Sequence, residues 1–97
     1  MLENTLLFTL SANKELGRKV GDLLEQPVYN VEVKKFPSGE IIVEPPFSVR
    51  NKNIFIIQST CPPVNENLFE LFVFIDALKR SSAGTINLVV PYFGYAR

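Results

Sequence analysis

The chemistry this sequence can offer starts at five consecutive residues, Phe36-Pro37-Ser38-Gly39-Glu40. An exposed turn carrying an aromatic face, a hydroxyl and a carboxylate can stack on a nucleobase and exchange hydrogen bonds with it. A turn whose aromatic is tucked into the core explains the same residues equally well, and periodicity does not separate the two accounts. Arg97 carries a guanidinium fork that fits a phosphate bidentately, although read alone it is merely a terminal arginine. Gln58-Ser59-Thr60 lies between an apolar run and a helical pattern, where backbone N–H groups can hold an anion. A polar loop capping a helix is the simpler reading of that stretch. Cys61 precedes two prolines and reads as an exposed thiol with no basic neighbour to activate it.

Other chemistry is excluded by what the 97 residues lack. There is no His, hence no Ser-His-Asp triad, no Cys-His pair and no His-built metal site. The five glycines form neither a Walker phosphate loop nor a dinucleotide fingerprint, and no Asp and Glu cluster at metal spacing. One Cys cannot make an internal disulfide, which fits a reducing compartment. Ten basic residues balance ten acidic ones, so the basic footprint of a nucleic-acid binder is missing. The first ten residues, MLENTLLFTL, have no basic n-region, and the greasy stretch Leu68 to Leu78 is short and cut by Glu70 and Asp76. The expectation is a soluble, cytoplasmic chain with neither nucleic acid nor membrane as partner.

These residues need a frame to hold them. Thr5 to Leu10 has strand length. A helix follows, capped by Ser11 or Asn13, with an apolar stripe at Leu16, Val20, Leu23 and Leu24. Gly17 and Gly21 share one side of it, as a close backbone approach would require, and Pro27 ends it. Val28 to Val33 alternates like a half-buried strand, Lys34 to Glu40 turns, and Ile41-Ile42-Val43 returns, predicting a hairpin over residues 31–43. Pro45-Pro46 forbids further pairing. Ile54 to Ile57 reads as a strand covered on both faces. A second helix, capped by Asn65 or Asn67, runs to about Ser82 and closes in a glycine turn at Ser81-Ser82-Ala83-Gly84. Ile86 to Val90 reads as another buried strand.

The order β-α-β, hairpin, β-α-β predicts an α/β domain over residues 1–97, its mostly parallel sheet flanked by helices and joined by right-handed crossovers. The second helix is apolar nearly all round, which calls for a subunit contact or a partner domain. Arg97 lies just past the carboxyl end of a strand, where open α/β sheets bind ligands.

The stretches Asn53 to Leu71, Asp76 to Gly84 and Val90-Pro-Tyr-Phe-Gly-Tyr-Ala-Arg97 resemble ribose-phosphate pyrophosphokinase (phosphoribosyl pyrophosphate synthetase). Phe36 to Glu40 stands where that family has Phe-Ser-Asp/Asn-Gly-Glu, and Val49-Arg50 at its Val-Arg. The resemblance implies a phosphoribosyltransferase-like N-terminal domain with the hairpin as a flag. It implies an enzyme that transfers the diphosphate of ATP to the 1-hydroxyl of ribose 5-phosphate with Mg²⁺, working as a homo-oligomer. By position, Phe36 would stack on adenine, Ser38, Gly39 and Glu40 would complete that contact, and Arg97 would touch the nucleotide. A regulatory phosphate site would draw on Ser48, Arg50 and Ser82.

The sequence also departs from the family. Pro37 and Ser38 replace the usual Ser and Asp/Asn, Leu10 replaces a Gly, and Glu44-Pro-Pro-Phe47 is atypical. Family chains are several times longer, and their metal-binding His, catalytic Lys and Arg segment and ribose-phosphate loop have no counterpart in these residues. The expectation is an N-terminal piece carrying half an ATP site, with no Mg²⁺ ligands, inactive alone. The alternative is a non-catalytic homologue that binds and regulates full-length subunits.

Overall fold

In a computed structural model that describes residues 3–92 and 94, six strands and two helices follow one another along the described chain. The elements are β1 (Thr5–Thr9), α1 (Lys14–Leu24), β2 (Val28–Asn30), β3 (Val33–Lys35), β4 (Ile41–Val43), β5 (Asn53–Ile57), α2 (Val64–Arg80) and β6 (Thr85–Val89). Four strands form a parallel sheet in the order β2-β1-β5-β6, and β3 and β4 form a separate antiparallel pair. The α/β architecture expected from the alternation of apolar runs and helical patterns is therefore present.

Register assigns the faces. Leu6 pairs with Ile54 and Phe8 with Ile56, so these side chains share one face, because successive strand residues point to opposite sides. That face meets Leu71, Phe74 and Leu78 of α2, with Val43 and Val49 closing the same cluster. Phe8 and Phe74, both fully buried, meet edge to face with centroids 5.5 Å apart. Leu7, Phe55, Ile57 and Val89 point the other way and line an apolar groove with Val20 and Leu24 of α1.

Several expectations need correction. The strand read over Val28 to Val33 is split: β2 ends at Asn30, and Val31 donates its N–H to the Thr9 carbonyl at 2.8 Å while burying its side chain. The alternation continues through the break, but the ladder it serves changes, because Val33 belongs to the hairpin. The stripe on α1 is only partly covered: Leu16, Leu23 and Leu24 are exposed, Leu23 by 85%, and Val20 is half-buried. Gly17 and Gly21 are the buried positions. A Cβ on Gly17 would collide with Thr9 Cγ2, and one on Gly21 would come within 2.8 Å of the Gln26 carbonyl oxygen. The two glycines set how closely this helix approaches the sheet, while Val20 and Leu24 face its apolar side.

The caps differ too. Asn13 makes no side-chain cap to α1, and α2 starts after Pro63 rather than at Asn65 or Asn67; the Asn67 amide instead donates to the Cys61 carbonyl at 2.8 Å. The left-handed residue after α2 is Ser82, φ 62°, not Gly84. Ala83 donates to Leu78 O and Ser82 to Lys79 O, the paired bonds of a Schellman close. Gly84 serves a different need, since a Cβ there would stand 2.9 Å from the Lys52 carbonyl oxygen. Finally, β6 is an edge strand with Leu88 and Val89 exposed, and α2 buries one side while Phe69 and Phe72 are exposed by 57% and 56%. Cys61 is half-buried, not exposed.

Candidate functional site

Parallel strands in this sheet run their carboxyl ends toward the loops at 10–13, 58–63 and beyond Val89. The strand order reverses between β1 and β5, the usual place for a ligand crevice. Polar side chains tie together the loops beside it. Gln58, fully buried, accepts the Ala12 N–H through Oε1 at 3.1 Å, and the Ser59 N–H bonds Asn13 Oδ1. Glu70 takes the Ser11 hydroxyl at 2.6 Å and 2.7 Å on its two oxygens and the Ser11 N–H at 3.3 Å. The plain reading of Gln58-Ser59-Thr60 as a structural polar loop matches these bonds, although they tie loops together rather than cap α2. Sequence reasoning missed Glu70; its one signal was a carboxylate interrupting an otherwise greasy helix.

The hairpin is organised differently. Phe36 donates its N–H to Glu40 O at 2.8 Å, and Gly39 donates to Phe36 O at 2.9 Å, so the turn closes twice. Gly39 has φ 93° with nothing within 4 Å of where a Cβ would sit, so glycine is needed for its backbone angle and not for space. The Ser38 hydroxyl donates to Glu40 Oε1 at 2.8 Å and accepts the Glu40 N–H at 3.3 Å. Ser38, Gly39 and Glu40 are all exposed, and Phe36 is 45% exposed. The account in which this aromatic is tucked into the core is therefore wrong. Phe36 lines an open groove with Lys34, Ile42, Glu44 and Pro45, facing away from α2. An aromatic ring, a carboxylate and a hydroxyl share one accessible tip.

Ser48, Arg50 and Ser82 are also brought together. The segment after β4 folds back on the end of α2: Asn51 donates to Ser82 O at 3.0 Å, Arg50 bridges to Ala83, and the Arg50 N–H reaches Ser48 Oγ at 3.5 Å. All three residues are exposed. Arg97 lies outside the described residues. Its approach is described as far as Gly94, whose N–H donates to Thr60 Oγ1 at 2.6 Å.

Among the described residues no group of three or more His, Cys, Asp or Glu is placed to hold a metal ion. Among the described residues no helix is long and apolar enough to cross a membrane.

The family of the N-terminal domain of ribose phosphate pyrophosphokinase matches over residues 5–97. Ribose-phosphate pyrophosphokinase of Campylobacter jejuni is 53% identical over 91 residues, which are 94% of this chain and 29% of that protein. The Thermosipho africanus protein of the same name is 52% identical over 91 residues, again 94% of this chain and 29% of the other. The crystal structure of phosphoribosylpyrophosphate synthetase from Mycobacterium smegmatis superimposes with a TM-score of 0.90 at 39% identity, covering 98% of this chain and 32% of that one. The chain thus spans about 30% of the length of the curated relatives it matches.

Proposed function

The chain belongs to the ribose-phosphate pyrophosphokinase family as its N-terminal domain, and from that premise we propose that it supplies part of an ATP site. The reaction moves the β,γ-diphosphate of ATP to ribose 5-phosphate. The sugar's 1-hydroxyl oxygen bonds to the β-phosphorus, the bond from that phosphorus to the α-bridging oxygen breaks, and AMP leaves while the hydroxyl proton passes to solvent. Such a transfer asks the protein for positioning and charge neutralisation rather than a nucleophile, so a domain without His can take part.

The observation that carries this reading is the tip at residues 36–40. Phe36 offers a ring face on which adenine stacks, worth about 1–3 kcal/mol per base. Glu40 accepts from the exocyclic amino group, and its bond from the Ser38 hydroxyl fixes the carboxylate before the nucleotide arrives. Arg97 meets the phosphates. The exposed tip suits a site completed by a neighbouring subunit, and exposed Phe69 and Phe72 suit burial in a homo-oligomer. Ser48, Arg50 and Ser82 form a regulatory phosphate site. The ribose 5-phosphate contacts and the magnesium ligands belong to residues beyond these 97, and these residues alone do not turn over. The compartment is the cytoplasm.

Steady-state kinetics of a complete enzyme carrying this domain test the proposal. Phe36→Ala should raise KM for ATP by about tenfold or more while KM for ribose 5-phosphate stays near the parent value. An unchanged KM for ATP would show that the tip is not an adenine contact.

A further inference from the structure

The hairpin that carries the tip is fixed to the body at its root. Among the described residues β3 and β4 pair only with each other, and a two-stranded ribbon is marginal in water unless it packs against something. Val43 is buried, and Val33 and Ile41 are half-buried against the cluster around α2, so one face of the ribbon is anchored. Nearer the tip the ribbon overhangs an open cleft of about 450 Å³, with Lys35, Gly39 and Ile41 on its side and Glu66, Phe69 and Glu70 on the side of α2. The angle of the tip is therefore set where the hairpin meets the sheet. The chain enters there through Tyr29, Asn30 and Val31 and leaves through Pro45, Pro46 and Phe47. The Phe47 ring meets Tyr29 edge to face with centroids 4.8 Å apart and lies 5.9 Å from Phe8, whose own centroid is 6.0 Å from that of Tyr29. Three rings in mutual contact tie the exit of the hairpin to its entrance and to β1.

We propose that Phe47 is a positioning residue for the nucleotide site, acting through Tyr29 and Phe8 to hold the hairpin at the angle that presents Phe36, Ser38 and Glu40. Phe36 stands three residues along the ribbon from Val33, about 10 Å. A tilt of about 15° at the root would carry its ring about 2.5 Å, enough to forfeit most of a stacking contact. A phenylalanine that is 41% exposed is ordinarily no more than cover for the core beneath it. Phe47 differs because the interior does not need it: Phe74 already packs edge to face on Phe8 from the side of α2. What Phe47 adds is a contact across the two ends of the hairpin, since Tyr29 and Phe47 enclose β3, the tip and β4 between them. The inference rests on the reading of the tip as an adenine contact.

Two measurements on the complete enzyme separate this claim from that reading. Phe36→Ala tests the tip directly; a parental KM for ATP there brings down the reading and the role of Phe47 with it. Phe47→Ala should raise KM for ATP about fivefold, with KM for ribose 5-phosphate within about twofold of the parent. Phe47→Tyr keeps the ring and should bring KM for ATP back to within about twofold. Phe47→Leu keeps bulk without the flat ring, and serves with the same expected split if Phe47→Ala does not assemble. Hydrogen exchange without nucleotide reads the hairpin independently of catalysis: Phe47→Ala should quicken exchange in peptides covering residues 31–43 and leave those of β5 at the parental rate. With Phe36→Ala impaired, a parental KM for ATP in Phe47→Ala overturns the proposal. So does a parallel rise in both KM values, a Phe47→Tyr enzyme as impaired as Phe47→Ala, or unchanged exchange across the hairpin; each would leave Phe47 as cover for the core only.

Discussion

Glycines at two positions carry opposite physical demands, and the difference governs which substitutions this domain tolerates. Gly39 sits at φ 93° in open space, so any side chain fits there but strains the backbone. Gly17 has ordinary helical geometry but faces the buried Thr9, whose hydroxyl is bonded to Asn30 across β1 and β2. Alanine at position 17 would gain about 1 kcal/mol of helix propensity. The collision with Thr9 Cγ2 outweighs that gain, because overpacking typically costs about 1–3 kcal/mol. Gly17→Ala should therefore lower the urea midpoint, whereas an equal or higher midpoint would mean that α1 shifts freely on the sheet. The spacing of Gly17 and Gly21 was legible as a close approach. That Leu16, Leu23 and Leu24 of the stripe stay exposed while Gly17 and Gly21 are buried was not legible, because periodicity reports which residues share a side and not which side faces inward.

Among the elements, continuous apolar runs revealed the parallel strands, and Pro37 with Gly39 revealed the hairpin, since few other folds of the chain satisfy those residues. The break at Val31 was hidden because alternation of Tyr29, Val31 and Val33 fits one long strand as well as two short ones in different sheets. The edge position of β6 was hidden because Leu88 and Val89 look like core residues until the pairing order is known. The outer side of α1 carries a short ionic ladder in which Arg18 bonds Glu15 at 2.5 Å and Asp22 at 3.2 Å. The hydrogen bond from Arg18, and then its charge, hold the Glu15 carboxyl below its ordinary range. A carboxyl lowered by folding stabilises above its unfolded pKa, and the effect fades as pH falls through the folded value. These groups are fully exposed, so solvent screens most of it. Glu15→Gln should leave the unfolding midpoint at pH 7 nearly unchanged and alter only the acid limb; a clear loss at pH 7 would show the ladder to be structural.

As a whole, the molecule keeps its polar interior for construction and places its accessible chemistry at the periphery. Around the carboxyl ends of β1 and β5, Gln58, Asn13, Ser11 and Glu70 bond to one another's loops. The hairpin tip and the turn around Ser48 and Arg50 stay accessible. The five-residue tip could be picked out from the sequence because Phe, Ser and Glu punctuated by Pro and Gly are unusual in a plain turn. Whether Phe36 faced in or out depended on which side of the hairpin α2 covers, which only the packing decides: Val43 is buried and Ile42 is not. The bond between Thr60 and Gly94 could not be found in advance, since the two are 34 residues apart and meet only once β5 and β6 pair. Photolabelling a complete enzyme with an azido-adenine analogue of ATP, followed by peptide mapping, asks the central question directly. Label on the peptide containing Phe36 to Glu40, suppressed by excess ATP, is the result this architecture predicts; ATP-protected label confined to other peptides would contradict it.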